Sequence, residues 1–113
     1  MDDLIQMLDE TELTYSQLNF KEYKNAGLPD PPFILWTASP EKADGADDKM
    51  YLTRRTITVE LYVKKLGTEH ETNLTAAMRD KGIDYEKTED YDSNEKIYVI
   101  KWVWEIVEKI RRI

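Results

Sequence analysis

From Thr53 to Lys65 the side chains alternate in character with a period of two. Ile57, Val59, Leu61 and Val63 fall on one face, and Thr56, Thr58, Glu60, Tyr62 and Lys64 fall on the other. Successive side chains of a strand point to opposite sides of a sheet, whereas a helix would scatter this pattern around its circumference. The segment is therefore expected to be a long strand with one face in a core, ended by Gly67. A second strand, Phe33 to Ala38, follows the pair Pro31-Pro32. Proline cannot donate to a sheet ladder, so the pair belongs just before the strand.

A chain of 113 residues is expected to form one domain, residues 1–113. Folding at this size buries roughly two-thirds of the unfolded surface, enough for a core without a metal or disulfide staple. With no cysteine, a thiolate nucleophile, a disulfide framework and a cysteine zinc site are excluded. The formal charge of −7 argues against nucleic-acid binding, which draws its affinity from Lys and Arg on phosphates. The basic run Lys109, Arg111, Arg112 is read as a solvated chain end. The opening Met1-Asp2-Asp3 lacks the basic and apolar regions of a signal peptide, and no apolar run approaches ~20 residues. A cytosolic product without a membrane partner is expected.

The remaining elements follow from local signals. Asp2 or Asp3 caps a short helix carrying Leu4, Ile5 and Leu8. Thr14 to Phe20 is a strand or extended arm, and Lys21 to Pro32 a loop. Ser39 to Lys49 holds Pro40, Gly45 and four acids without apolar periodicity, which reads as an irregular acidic connection, either a hairpin tip or a functional loop. Thr68 and Glu71 fit a capping box at the start of a second helix. That helix carries Leu74, Ala77 and Met78 and stops at Gly82. Ile83 to Glu89 is a short strand, Tyr91 to Asn94 a turn, and Ile97 begins the last strand.

In the last strand, Tyr98, Ile100, Trp102, Trp104 and Ile106 make an unbroken apolar stripe, assigned to the core. Ile97, Val99 and Val103 share the other face with Lys101 and Glu105. An apolar residue set on both faces suggests a covered sheet or an oligomer interface. The far end fits strand and helix equally. The fold class expected is α+β, a mostly antiparallel sheet of four to five strands flanked by two helices.

Catalytic chemistry finds little in the sequence. His70 is the lone histidine and reads as an exposed residue in a helix first turn. Asp90 to Glu95 resembles the start of a calcium loop but lacks its glycine, and Lys101 stands where the bidentate Glu belongs. Asn73-Leu74-Thr75 matches a glycosylation sequon inside a predicted helix. No glycine-rich phosphate loop is present. No enzyme activity, metal or cofactor is expected.

Four segments together carry a resemblance. They are Pro-Pro-Phe-Ile-Leu-Trp from Pro31, Arg-Thr-Ile-Thr-Val-Glu-Leu-Tyr-Val-Lys-Lys from Arg55, Lys-Gly-Ile-Asp-Tyr-Glu-Lys-Thr-Glu-Asp-Tyr from Lys81, and Glu-Lys-Ile-Tyr-Val-Ile-Lys-Trp-Val-Trp-Glu from Glu95. In order and spacing, from Leu13 to about Val107, the chain resembles tail-terminator and head–tail joining proteins of siphophages and prophages of Gram-positive bacteria. The resemblance implies a tail-terminator-like sheet flanked by helices, assembled as a homohexameric ring on the tail tube. Such a ring ends tube polymerisation and meets the neck or head-completion protein, while DNA only passes through the lumen. The implied locations are the host cytoplasm during assembly and then the virion tail. The family defines no catalytic residue to carry over.

A ring needs two different contact patches, since each subunit meets its neighbour head to tail. The second face of the Thr53–Lys65 strand and the last strand are the expected patches, with Val63→Asp as their probe. The candidate contact residues are Asp44, Asp47, Asp48 and Lys49 in the acidic connection, and Glu60, Tyr62, Lys64 and Lys101 in the strands. Acids of the connection would repel passing DNA. The alternatives are a head-completion or neck adaptor and, in a different class, a small acidic regulatory module that binds one basic protein.

Overall fold

The structure is a computed structural model that describes residues 2–17, 22, 30–45 and 50–111. The elements run α1 (Asp2–Glu10), β1 (Thr14–Ser16), β2 (Phe33–Ala38), β3 (Lys42–Gly45), β4 (Met50–Val63), α2 (Glu69–Asp80), β5 (Glu86–Asp92) and β6 (Ile97–Arg111). One six-stranded sheet orders them β1-β2-β4-β6-β5, with β3 also paired to β4. The fold is α+β as expected, but the sheet is mixed and has one strand more than the upper expectation. β1 runs parallel to β2, and the other described pairings are antiparallel. A parallel neighbour requires a crossover of a dozen or more residues, which 17–32 supply.

The extra strand is β3, inside the stretch expected to be irregular. Lys42 and Ala43 are exposed and show no apolar alternation, so periodicity could not reveal them. What holds β3 is backbone pairing, from Lys42 opposite Arg54 to Gly45 opposite Tyr51. It continues the line of β2 along the same edge of β4. Between them Pro40 has no N–H to give, and Ser39 bridges the gap. Its N–H donates to the Thr56 carbonyl at 2.9 Å, and its hydroxyl accepts the Thr56 N–H at 2.7 Å.

β4 begins at Met50 and stops at Val63, earlier at both ends than the alternation alone suggested. It pairs with β6 over its whole length, from Met50 opposite Arg111 to Val63 opposite Tyr98. That pairing resolves the ambiguous chain end as strand. A strand of 15 residues rises ~3.3 Å each, so β6 alone accounts for the 52 Å long axis.

The core lies on one face of this sheet. Ile34 and Trp36, Ile57, Val59, Leu61 and Val63, and Ile100, Trp102 and Trp104 are buried in one cluster with Leu4, Met7 and Leu8 of α1 and Leu74 and Met78 of α2. Both described helices thus cover the same face. α1 is amphipathic at helical spacing: Leu4, Met7 and Leu8 are buried while Asp3, Gln6, Asp9 and Glu10 face solvent. The stripe assigned to the core is core, and the two tryptophans fill it. Val63 is only 2 % exposed among these residues, so it is a core position and cannot serve as an interface probe.

Two local expectations change. Thr68 is the N-cap of α2, but its hydroxyl makes no capping bond, and Glu71 turns away to Lys87. The capping box is absent because Glu71 has a cation within reach. At the other end, Gly82 (φ +70°) closes α2 as expected. The Gly82 N–H donates to the Arg79 carbonyl and the Ile83 N–H to the Met78 carbonyl, each at 3.0 Å, the double bond of a Schellman motif. β5 starts at Glu86 rather than Ile83, and the turn is at 93–96 rather than at Tyr91. Asp92 sets the turn by accepting the Asn94 and Glu95 N–H groups at 2.9 and 3.1 Å.

Candidate functional site on the open sheet face

The face opposite the helices is built by the other half of each strand's alternation. Because β4 and β6 pair antiparallel, Glu60 stands directly opposite Lys101, Tyr62 opposite Val99, and Thr56 opposite Glu105. Directly opposed side chains have Cβ atoms about 5 Å apart, so these are interacting pairs. At one end Phe33, Leu35, Tyr62 and Ile97 form a second, smaller buried cluster with Val99 against it. Phe33 and Tyr62 stack with ring centroids 4.8 Å apart and planes 9° from parallel. Farther along the face the residues become polar and increasingly exposed.

Glu60 is the hinge between the two zones. Its Oε2 accepts the Tyr62 hydroxyl at 3.3 Å and lies 3.8 Å from Lys101 Nζ. Burial, and then the charge of Glu60 and the hydrogen bond to it, hold the Tyr62 phenol far above its ordinary range, with Asp92 adding to the effect. Tyr62 therefore stays protonated and acts as a donor. Toward the far end Arg54 Nη1 lies 3.3 Å from Glu105 Oε1, a pair roughly half exposed on both sides.

The structure thus brings Glu60, Tyr62 and Lys101 into one constellation. Lys64 is exposed just beyond β4 and sits at its rim, where it lines a cleft of about 370 Å³ with Pro31, Phe33 and Ile97. Asp44 is not part of it. It lies in β3 opposite Leu52, away from this cluster along β4. Asp47, Asp48 and Lys49 lie outside the described residues. Sequence reasoning missed Phe33, Arg54 and Ile97, which join the face only through strand register. A usable signal was present in the alternation of β2, which puts Phe33 and Leu35 on the same side.

His70 is half-buried rather than exposed. With Asn73 of the same helix it lines a cleft of about 250 Å³ between α2 and the end of α1, whose other wall includes Glu10 and Thr11. Among the described residues no three acidic, His or Cys side chains gather as a metal-ion site. No described helix is long and apolar enough to cross a membrane. What the open face offers chemically is a row of opposed charges beside an aromatic, apolar end, suited to contact with another surface. The chain matches no protein-family model, and no curated protein matches it in sequence.

Proposed function

We propose that this chain is a structural tail-assembly protein of the tail-terminator kind. Copies form a ring that caps the tail tube of a phage or prophage, ends its polymerisation and joins tail to head. The observation that carries this reading is the one-sided cover of the sheet. The described helices take one face, and the other presents Glu60–Lys101 and Arg54–Glu105 to solvent beside the Phe33–Tyr62 stack. A ring built head to tail needs different patches on the same subunit, and this face together with the sheet edges supplies them.

In this reading the protein works by contact and catalyses nothing. Glu60, Tyr62, Lys64 and Lys101 meet a neighbouring copy, the tube protein or the neck protein. The charge of −7 keeps DNA from adhering as it passes through the lumen. The protein then resides in the host cytoplasm during assembly and in the virion tail afterwards.

The test is deletion of the gene, induction, and negative-stain electron microscopy, followed by complementation with Lys101→Glu. Overlong tails beside detached full heads establish a terminator, and failure of a folded Lys101→Glu protein to restore tails assigns the open face to assembly. Normal tails with leaking heads shift the protein to a neck adaptor. Intact, infectious particles remove it from the virion and leave the acidic binding module.

A further inference from the structure

β5 stops pairing with β6 at Glu86 opposite Val103, yet β6 runs on to Arg111. On its other side the same stretch is fully paired to β4. Among the described residues nothing pairs with the β5-side edge of β6 from Trp104 onward. In an antiparallel strand every second residue turns its N–H and C=O away from the existing partner, so among the described residues this edge holds a row of unmatched donors and acceptors. Natural edges of this length are usually blunted by lysine, proline or a bulge. Trp-Glu-Ile-Val-Glu, residues 104–108, has neither lysine nor proline, and Lys109 follows it near the strand's end.

A groove of about 490 Å³ lies along that edge, between residues 104–108, the start of α1 and the turn 81–84. Its floor is apolar, with Leu4, Met7, Trp104 and Ile106. Its charged lining is Asp3, Asp84, Glu105 and Glu108 against the single cation Lys81. All five are exposed, and Glu105 also meets Arg54. Val107, on the open side of the same strand, is 47 % exposed.

We infer that the β6 edge from Trp104 to Glu108 is a docking site for a basic, extended segment of another protein, which adds to the sheet as a strand in line with β5. Main-chain hydrogen bonds to the edge supply affinity, and alternate side chains supply specificity. A residue opposite Glu105 or Glu108 is cationic in such a segment, since opposite charges across strands stabilise and like charges repel. A second copy offers as its described edges β5, with Glu86, Glu89, Asp90 and Asp92 against Lys87, and the short β1 and β3, none of them basic overall. It also offers this same β6 edge, in which Lys109 and Arg111 follow the acidic stretch. Pairing of two β6 edges is the competing outcome that the test reads. The edge would take a basic strand whether or not the chain belongs to a phage tail.

The test uses the whole chain and a fluorescein-labelled heptapeptide of alternating lysine and valine, read by fluorescence anisotropy and amide hydrogen exchange. Expected are saturable binding, slowed exchange of those alternate amides of residues 104–108 that point away from β4, and no binding of the matching glutamate–valine peptide. Glu108→Lys should weaken binding about five- to thirty-fold, as an attractive cross-strand pair becomes repulsive. A lysine–valine peptide N-methylated at every residue, with no N–H to donate on either edge, should bind as weakly as the acidic control. Equal binding of the N-methylated peptide would reduce the effect to charge attraction and overturn strand addition. So would absence of binding, or edge amides already protected in the chain alone with a dimer in sedimentation, which would give the edge to a second copy.

Discussion

Lys87 Nζ lies 2.5 Å from Glu71 Oε2 and 5.8 Å from the centre of the Trp102 ring, so one side chain ties α2 to β5 across the edge of the core. Lys87 stands opposite Trp102 in the β5–β6 ladder, and its stem crosses the indole to reach the helix. The Glu71 carboxylate is mostly buried, and its Oε1 has no hydrogen-bond partner among the described residues. Removing the cation would strand a carboxylate in a poor solvent position. Lys87→Met should therefore cost about 1–3 kcal/mol, between the values for exposed and buried pairs. Adding Glu71→Gln should recover part of that loss, because the double variant no longer buries an unpaired charge. Urea unfolding of the two singles and the double measures it, and additive losses would refute the coupling.

Val63→Asp should prevent folding rather than expose an interface. The side chain sits with Leu61, Leu74 and Met78 in the main core, where an unpaired carboxylate exceeds what a domain of this size can offset. Val63→Ala, by contrast, should fold and lose about 1–3 kcal/mol. Circular dichroism and thermal melts distinguish them. A folded, monomeric Val63→Asp protein would show that the core assignment is in error.

Gly82→Ala should destabilise by about 1–2 kcal/mol through backbone strain alone. The residue has φ +70°, and a Cβ built there meets nothing within 4 Å. Gly82→Asn should lose less, since asparagine tolerates the left-handed region. Equal losses for the two would point to a steric cause instead.

The Tyr62 phenol gives stability an alkaline dependence. Its value in the folded chain is raised, so the protonated form is the one that fits, and stability is complete below the unfolded value of ~10. Above that, the unfolded chain releases a proton the folded chain keeps, and stability falls by up to ~1.4 kcal/mol per pH unit from this group. Tyr15 is also raised, by its hydrogen bond to Asp9, so wild type is best compared with Tyr62→Phe. The variant should show a shallower loss between pH 10 and 11.5 in urea titrations. Parallel slopes would mean that Tyr62 ionises freely in the folded protein.

Much of the central sheet was legible in the residues. The alternation of Ile57 to Val63 and the stripe from Tyr98 to Trp104 placed the core face correctly on both long strands, because burial on one side leaves a period of two. Pro31-Pro32 marked the start of β2, and Gly82 marked the end of α2, since each has a backbone property no neighbour shares. Met7 went unnoticed in α1, although it belongs with Leu4 and Leu8 at helical spacing.

β3 was not legible, because Lys42 to Gly45 is held by backbone bonds to β4 that leave no trace in side-chain character. The same holds for the parallel β1–β2 pair and for the end of β6, where strand and helix periods coincide over a few residues. The failed capping box has a different cause: Thr68 and Glu71 have the right spacing, but Lys87 arrives from another strand and takes the carboxylate.

The candidate site divides along the same line. By itself the sequence determined that Glu60 and Tyr62 share a face, and that Lys101 shares one with Val99, because each statement concerns a single strand and its pleat. Only the tertiary structure decided that Glu60 stands opposite Lys101, that Phe33 stacks on Tyr62, and that β6 outruns β5 to leave, among the described residues, an unpaired edge beside an acidic groove. Register and strand order are relations between distant segments, set by which long-range pairing buries the most apolar surface, and no local window contains them.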